Sequence, residues 1–235
     1  EKVRLDRMMK TATAQTTEPI TLANNPLYEA WKAKGLVHTR GWGWGRPMIE
    51  PGGDMHAEVM AIGRDGIDRT HLCDLYSFAV PTQGVVRKLA RMFPRIVEVG
   101  AGRGYWAAML ADAGADVVAY DKSIRRGRIV RNGYHKKQVK PATYHPVQYG
   151  TAASAAEHAD RDLLLCWAPY DDPMAESALL NYRGSDLIWI GEDDGGCCGG
   201  EGFWNVLKEG WEETAMLDIP QWPRIRDYVA IYHRK

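Results

Sequence analysis

The sequence predicts an α/β fold: a doubly wound, mostly parallel seven-stranded sheet with an antiparallel last strand, plus an N-terminal cap region. Three observations lead to this prediction. Short apolar runs alternate with segments of helical periodicity along the second half of the chain. A glycine-rich turn joins the first of these runs to its helix. The last two strand-like runs are joined by a linker too short for a parallel crossover.

The first strand of the sheet covers residues 96–99 and leads through a glycine-rich turn into a helix over residues 105–113. Gly100 and Gly102 leave room for the backbone to approach a ligand that any Cβ atom would displace. Gly104 allows the helix to pack tightly on the strand. This strand, turn and helix predict a nucleoside-cofactor site.

The second strand covers residues 117–120 and ends on Asp121. Ligands of doubly wound sheets bind outside the carboxyl ends of the strands, so Asp121 is placed to accept hydrogen bonds from ribose hydroxyls. The other predicted elements are helices over 28–34, 82–92, 123–132, 152–159, 174–182 and 202–210, and strands over 144–148, 163–167, 186–191, 213–219 and 228–233.

The glycine spacing distinguishes two cofactors. A dinucleotide fingerprint G-x-G-x-x-G counted from Gly100 needs a third glycine where this chain has Tyr105. The motif present is E-x-G-x-G-x-G, from Glu98 to Gly104, and it resembles motif I of the class I S-adenosylmethionine (SAM) dependent methyltransferases. The resemblance extends over roughly residues 76–235. A dinucleotide site and a structural turn in a non-binding α/β domain are the alternatives.

The resemblance implies SAM as cofactor, with Glu98 near its methionine end, the glycines beneath it and Asp121 on its ribose. Residues 76–82 resemble the segment that lies against the methionine end in several nucleic-acid adenine methyltransferases; the alternative is an ordinary helix entry. Residues 148–152 fall where the family contacts adenine. The residues expected to contact the cofactor are Tyr76, Pro81, Glu98, Gly100, Ala101, Gly102, Gly104, Tyr105, Asp121 and Trp167.

The segment from Cys166 to Tyr170 resembles in outline the N-P-P-Y or D-P-P-Y motif of amino-methylating enzymes. Trp167 stands at the Asn or Asp position. An indole offers only an N–H donor and cannot accept from a target amine, which disfavours methylation of exocyclic amines. Trp167 and Tyr170 are predicted to form a stacking platform; the alternative is that Trp167 fills the pocket wall.

Acidic side chains follow the fourth and fifth strands and are candidates for a general base. Tyr170, Glu192 and Asp193 are the predicted catalytic residues. Magnesium-assisted O-methylation is an alternative, as is a solvated acidic loop, and no metal is predicted. Cys197 and Cys198 lack the spacing of a zinc site. The remaining candidate bases are His56 and His71, although a lone histidine is more often structural.

Composition narrows the class of protein. The 235 residues carry 30 Lys plus Arg and 30 Asp plus Glu, so no global field attracts nucleic acid or an anionic membrane. Four cysteines show no disulfide framework, and no apolar stretch reaches the length of a membrane span. We therefore expect a cytoplasmic protein without a membrane partner; its oligomeric state is not predicted.

Two regions are predicted, an N-terminal arm and cap or lid over residues 1–75 and a methyltransferase domain over residues 76–235. Residues 167–170 and 192–200 are expected to form the acceptor pocket, and residues 42–58 of the N-terminal region are expected to fold over it. The function implied is methyl transfer from SAM to an unidentified N, O or S acceptor, a small molecule or a protein side chain. The alternatives are a nucleic-acid base methyltransferase and a non-catalytic methyltransferase-like interaction module.

Overall fold

The protein is represented by a computed structural model that describes residues 18–34, 69–125, 128–129, 143–223 and 225–235. Its helices are α1 (Pro26–Ala33), α2 (Arg69–Leu75), α3 (Gln83–Met92), α4 (Tyr105–Asp112), α5 (Met174–Asn181) and α6 (Glu201–Gly210), with a 3-10 helix over Ala152–Glu157. Its strands are β1 (Arg95–Val99), β2 (Asp116–Asp121), β3 (Ile124–Arg125), β4 (Arg128–Ile129), β5 (Val147–Tyr149), β6 (Asp162–Cys166), β7 (Asp186–Gly191), β8 (Trp211–Asp218) and β9 (Tyr228–Arg234).

Seven strands form one sheet in the order β5-β2-β1-β6-β7-β9-β8. All neighbours from β5 to β7 run parallel, and β9 runs antiparallel to both β7 and β8. The predicted fold class is therefore confirmed, including the reversal of the last strand. The strand order changes direction between β1 and β6, and such a switch point is where open α/β sheets bind ligands.

Apolar side chains cover both faces of the sheet. One cluster joins the N-terminal helices and α4 to the sheet and contains Leu27, Trp31, Leu89, Ile96, Met109 and Ile188. The other joins α5 and α6 to the opposite face and contains Val97, Leu163, Leu179, Trp189, Phe203 and Leu207. Strands covered on both faces are expected to be apolar throughout, as β6 is in its buried centre.

The described part of the N-terminal region packs into the same core as the sheet. The side chain of Asn25 donates to the carbonyl of Pro81 at 2.8 Å and caps α1 by accepting from the backbone N–H of Tyr28. The indole of Trp31 donates to the carbonyl of Gln221 at 3.0 Å. The predicted lid residues 42–58, including His56, lie outside the described residues, and the boundary at residue 75 stays a prediction.

The helix predicted over residues 123–132 is wrong in its described part. Strands β3 and β4 pair antiparallel there, with Ile124 opposite Ile129. Both isoleucines are buried in the core of the sheet. Side chains five positions apart would point roughly 140° apart around a helix, whereas a hairpin places them on the same face. Burial of this pair therefore favours the hairpin over a basic helix.

The third strand of the sheet, β5, begins three residues later than predicted. Pro146 has no N–H for a strand ladder, which accounts for the late start. Tyr144 instead joins a cluster of tyrosine rings, 5.9 Å from the ring centroid of Tyr76 and 5.5 Å from that of Tyr105. None of the described helices is long and apolar enough to cross a membrane.

Candidate active site

The glycine turn after β1 has a backbone that other residues rarely adopt. Gly100, Gly102 and Gly104 have φ of 78°, 54° and 71°. A Cβ atom at Gly100 would lie 2.7 Å from the Cε of Met174, and one at Gly104 would lie 2.9 Å from a methyl group of Val147 on β5. The turn therefore needs glycine both for its conformation and for the close approach of its neighbours.

Asp121, at the end of β2, holds this turn. Its Oδ2 accepts from the backbone N–H of Gly102 at 2.8 Å, and its Oδ1 accepts from that of Ser123 at 2.7 Å. A carboxylate has about four lone-pair sites, so two remain for the hydroxyls of a ligand. The predicted ribose-binding residue therefore also fixes the shape of the turn.

Glu98 lies on β1 immediately before the turn and is only 2% exposed. Its Oε2 has no hydrogen-bond partner among the described residues. Burial, reinforced by the negative charge of Asp121 and opposed by a hydrogen bond from the backbone of Ala107, raises the pKa of Glu98 to about 8. A buried carboxyl with a free oxygen is costly in a core, and a cationic ligand group is the partner that fits it.

These residues line one cleft at the switch point, with about 1200 Å³ of empty space, part of it open to solvent. Eight of the ten predicted cofactor residues line it: Tyr76, Glu98, Gly100, Ala101, Gly102, Tyr105, Asp121 and Trp167. Gly104 and Pro81 are not among its lining residues. Phe78 lies in the segment 76–82 that the resemblance places at the cofactor, whereas sequence reasoning missed the lining residues Arg103, Lys122, Pro173, Met174 and Ser177. Lys122 and Asp172 form an ion pair between two lining segments.

Trp167 lies in the cleft wall after β6 with a strained backbone. Its φ is 50°, a region that costs a bulky residue about 1–3 kcal/mol. Its ring stacks on that of Phe78 at 5.5 Å, and the guanidinium of Arg69 lies 5.1 Å from its centroid. Its indole N–H donates to Oδ2 of Asp227 at 3.0 Å. The indole N–H is therefore already bonded within the protein.

Asp227 is fully buried, 0% exposed, directly before β9. Burial raises its pKa to about 7, opposed by the hydrogen bond from Trp167 and the charge of Arg69. Its Oδ1 has no hydrogen-bond partner among the described residues. Sequence reasoning missed Asp227 because the contact joins residues 60 positions apart and no local motif marks it.

The predicted catalytic residues lie outside the lining of this cleft. Tyr170 is 60% exposed and lines an adjoining groove with Asp171 and Phe203, which shares Asp172 and Pro173 with the cleft. Glu192 is 3% exposed and accepts from the backbone N–H groups of Cys197 and Arg226, both at 2.9 Å. Glu192 therefore holds two loops together.

Asp193 lies beside the same loops, 3.7 Å from the guanidinium of Arg226. His71 lies within α2, the helix that directly precedes the cleft-lining segment with Phe78. The catalytic roles assigned to Tyr170, Glu192 and Asp193 stay predictions.

All four cysteines are free thiols. Cys166 lines the cleft, and burial raises the pKa of its thiol, so it is not activated as a nucleophile. Cys198 accepts from the backbone N–H of Glu192 at 3.0 Å, and burial raises its pKa to about 12. In the part of the chain that the structure describes, no group of three or more potential ligands could hold a metal ion.

Several solved structures are similar to the chain. Magnesium protoporphyrin IX methyltransferase from Synechocystis, with bound SAM, is 15% identical with a TM-score of 0.44, over 65% of this chain and 79% of that one. A TehB-like SAM-dependent methyltransferase from Corynebacterium glutamicum is 18% identical with a TM-score of 0.40, over 77% and 96%. The N-methyltransferase NodS from Bradyrhizobium japonicum is 16% identical with a TM-score of 0.41, over 65% and 93%.

No protein-family model matches the chain, and no curated protein matches it significantly. The identities and TM-scores of the solved structures are too low to assign an activity from them. The chain's own structure shows the strand order, the reversed β9 and the glycine turn at the switch point. The chain is a doubly wound α/β sheet with a reversed strand β9, and its ligand cleft lies at the switch point between β1 and β6.

Proposed function

We propose that the protein is a SAM-dependent methyltransferase whose acceptor is a small molecule or a protein side chain. The observation that carries this proposal is the pair of carboxyl groups at the glycine turn. Glu98 offers a buried, unpartnered oxygen to a cation, and Asp121 keeps acceptor sites for a ribose diol. This combination fits a nucleoside that bears an amino-acid cation better than it fits a dinucleotide, whose charged groups near such a turn are phosphates.

The residues present fit SAM in the order that the resemblance implies. Glu98 would receive the ammonium group, the glycines would pass beneath the ligand, and Asp121 would bind the ribose. Residues 150–152, which line the cleft after β5, would contact the adenine. SAM supplies an electrophilic methyl group on its sulfonium.

The protein contributes orientation and exclusion of water. Aromatic and thioether side chains line the far part of the cleft, with Phe78 and Trp167 stacked and Met174 against the glycine turn. Such a wall keeps water from the methyl group, and positioning can supply most of the rate in a one-step transfer. We therefore assign no base among the side chains that line the cleft, and the acceptor is an N, O or S atom that already has a free lone pair when it enters. The base roles of Glu192 and Asp193, which lie outside the lining, stay predictions.

A nucleic-acid base is the second candidate acceptor, and two observations disfavour it. The net charge is zero, so long-range attraction to a phosphate backbone is weak. Trp167 donates its N–H to Asp227 and cannot hold an exocyclic amine as an Asn or Asp would. SAM-dependent methylation of DNA or RNA, with binding that weakens steeply with salt, would reverse this ranking.

We also propose a cytoplasmic location. Four free thiols, one of them exposed at Cys197, suit a reducing compartment. Fractionation of cells with an antibody to the protein would test this. Recovery of the protein in a secreted fraction with oxidised cysteines would contradict it.

Calorimetric titration with SAM, its demethylated product and NAD tests the cofactor. SAM and its product should bind and NAD should not. Glu98→Gln should weaken SAM about 10-fold or more, because hydrogen bonds to charged groups contribute about 1.5–3 kcal/mol. The control is Glu209→Gln, which removes an exposed carboxylate of α6 and should change nothing. NAD binding to the folded wild type would overturn the proposal.

Turnover separates the enzyme from a non-catalytic module. Incubation with methyl-labelled SAM and fractionated cell extract should give a labelled product, identified by mass spectrometry. Cofactor binding without any labelled species in every fraction would instead support an interaction module that binds SAM without transferring its methyl group.

A further inference from the structure

Trp167 has a backbone conformation that is unusual for its residue type. Among the described residues it is the one non-glycine residue with positive φ. Strained conformations of this kind persist where surrounding contacts fix them, and they are common at functional sites. Two hydrogen bonds fix Trp167. Its backbone N–H donates to the carbonyl of Ile190 at 2.7 Å, and its indole N–H donates to Asp227 at 3.0 Å.

Asp227 lies at the same edge of the sheet as Trp167, where the chain enters β9, and β7 separates β9 from β6. Its carboxyl is completely buried, which is costly for an ionisable group. Its backbone carbonyl accepts from the side chain of Gln221 at 2.9 Å, which anchors the loop that carries it. The side chain of Asp227 therefore has a fixed position, and the indole is its hydrogen-bond partner there.

Asp227 acts on the cleft through Trp167. The indole lines the cleft, whereas Asp227 is not among the lining residues. Phe78 stacks on the indole at an interplanar angle of 27°, and Arg69 lies within 5.8 Å of the Phe78 ring and 5.1 Å of the Trp167 ring. Turning the indole away from Asp227 would therefore break this stacked wall.

We propose that Asp227 is a positioning residue for the acceptor: it holds the Trp167 indole against Phe78, so that the cleft offers the acceptor an aromatic wall without a hydrogen-bond donor. The inference rests on the proposed methyl-transfer function. Because the indole N–H points to Asp227, the acceptor meets this wall through a flat or apolar face rather than through a polar group.

The ionisation of Asp227 can be followed by spectroscopy through its hydrogen bond with the indole N–H of Trp167. Its neighbours include the guanidinium of Arg69 from α2, the carboxylate of Glu192 from the end of β7, and the thiols of Cys166 and Cys198. Its pKa of about 7 places its titration within an accessible pH range. Protonation below that pH replaces a charge-assisted hydrogen bond to the indole with a weaker neutral one.

The experiment uses the full chain labelled with ¹⁵N at tryptophan, with and without the demethylated product of SAM. The resonance of the Trp167 indole N–H is identified by its loss in Trp167→Phe. In the wild type its chemical shift should follow a single titration near pH 7. Asp227→Asn should abolish that titration, and Asp218→Asn, an exposed carboxylate at the end of the neighbouring β8, should leave it unchanged.

Double mutation tests whether Asp227 acts through Trp167. With the acceptor found by methyl labelling, Asp227→Asn should raise the KM of the acceptor more than that of SAM. In the Trp167→Phe background the same change should have no further effect, since the phenyl ring has no N–H to hold. Equal effects in both backgrounds would overturn the proposal.

The possible failures are distinguishable. An indole resonance with the same chemical shift in the wild type and in Asp227→Asn at every pH, or one that titrates alike in both, would overturn the positioning role. Absence of SAM binding to the same sample would instead overturn the proposed function. If Asp227→Asn does not fold, Trp167→Phe still tests the wall: an acceptor KM unchanged from the wild type in Trp167→Phe would overturn the role of the indole that Asp227 holds.

Discussion

Replacing Glu98 by glutamine should make the ligand-free protein more stable while weakening the cofactor. The carboxyl is buried, and its pKa rises from 4.5 to about 8 on folding. Since each pKa unit corresponds to about 1.4 kcal/mol, the ionised group destabilises the fold by up to about 5 kcal/mol. Stability from this group is therefore fully present below pH 4.5 and is lost as the pH rises to about 8.

Glutamine keeps the shape of the side chain and removes the charge. It also leaves an amide group in a site that lacks a full set of partners, at a cost of about 1–3 kcal/mol. The variant should therefore be about 2–4 kcal/mol more stable than the wild type at pH 9. At pH 4.5 and below, where the wild-type carboxyl is neutral as well, this advantage should disappear.

Urea unfolding of both proteins at pH 4.5, 7 and 9 measures this difference, and other titrating groups cancel between wild type and variant. The exposed-site control Glu209→Gln should follow the wild type at each pH. A constant difference between Glu98→Gln and wild type across the three pH values would refute the reasoning, because it would mean that Glu98 titrates alike in the folded and unfolded chains.

Gly100→Ala should abolish SAM binding, because the added methyl group would lie 2.7 Å from Met174 and the residue has a φ of 78°. Adding Met174→Ala to this variant should not restore binding, since it relieves the contact but not the backbone strain. Calorimetry of the single and the double variant checks this. Asp121→Asn should lower the free energy of unfolding by about 1–3 kcal/mol and weaken SAM binding, because one of the two backbone N–H groups that now donate to Asp121 would then face an NH₂ group. Urea unfolding measures the change in stability, with Asp218→Asn as the control. Tyr170→Ala should leave SAM affinity unchanged because the ring is exposed and off the cleft lining; unchanged turnover as well would remove Tyr170 from the acceptor site.

Local patterns predicted the secondary structure around the glycine turn well. The strand, glycine turn and helix from β1 to α4 depend on contacts between near neighbours, and Asp121 is the last residue of β2, where the apolar run ends. The strand β7 likewise has the predicted bounds, because a continuous apolar run between polar residues marks where a buried strand begins and ends.

The side of the cleft where we propose the acceptor depends on contacts that no local pattern contains. Glu192 was predicted to face the acceptor, yet its oxygens accept from backbone groups of Cys197 and Arg226. The second of these lies 34 positions further along the chain. Only the folded sheet brings β7 and the entry to β9 together, so the sequence shows a cluster of acids without showing which of them are already bonded.

Two of the buried carboxyl groups, those of Glu98 and Asp227, indicate how the proposed site divides its work. Each has one oxygen without a hydrogen-bond partner among the described residues, and each has a raised pKa. Glu98 lines the cleft and can recover its desolvation cost when a cation binds, so its effect should appear in cofactor affinity. Asp227 does not line the cleft and already holds the indole of Trp167, so its effect should appear in the shape of the wall. The same physical cost therefore supports binding of the cofactor at one end and orientation of the acceptor at the other.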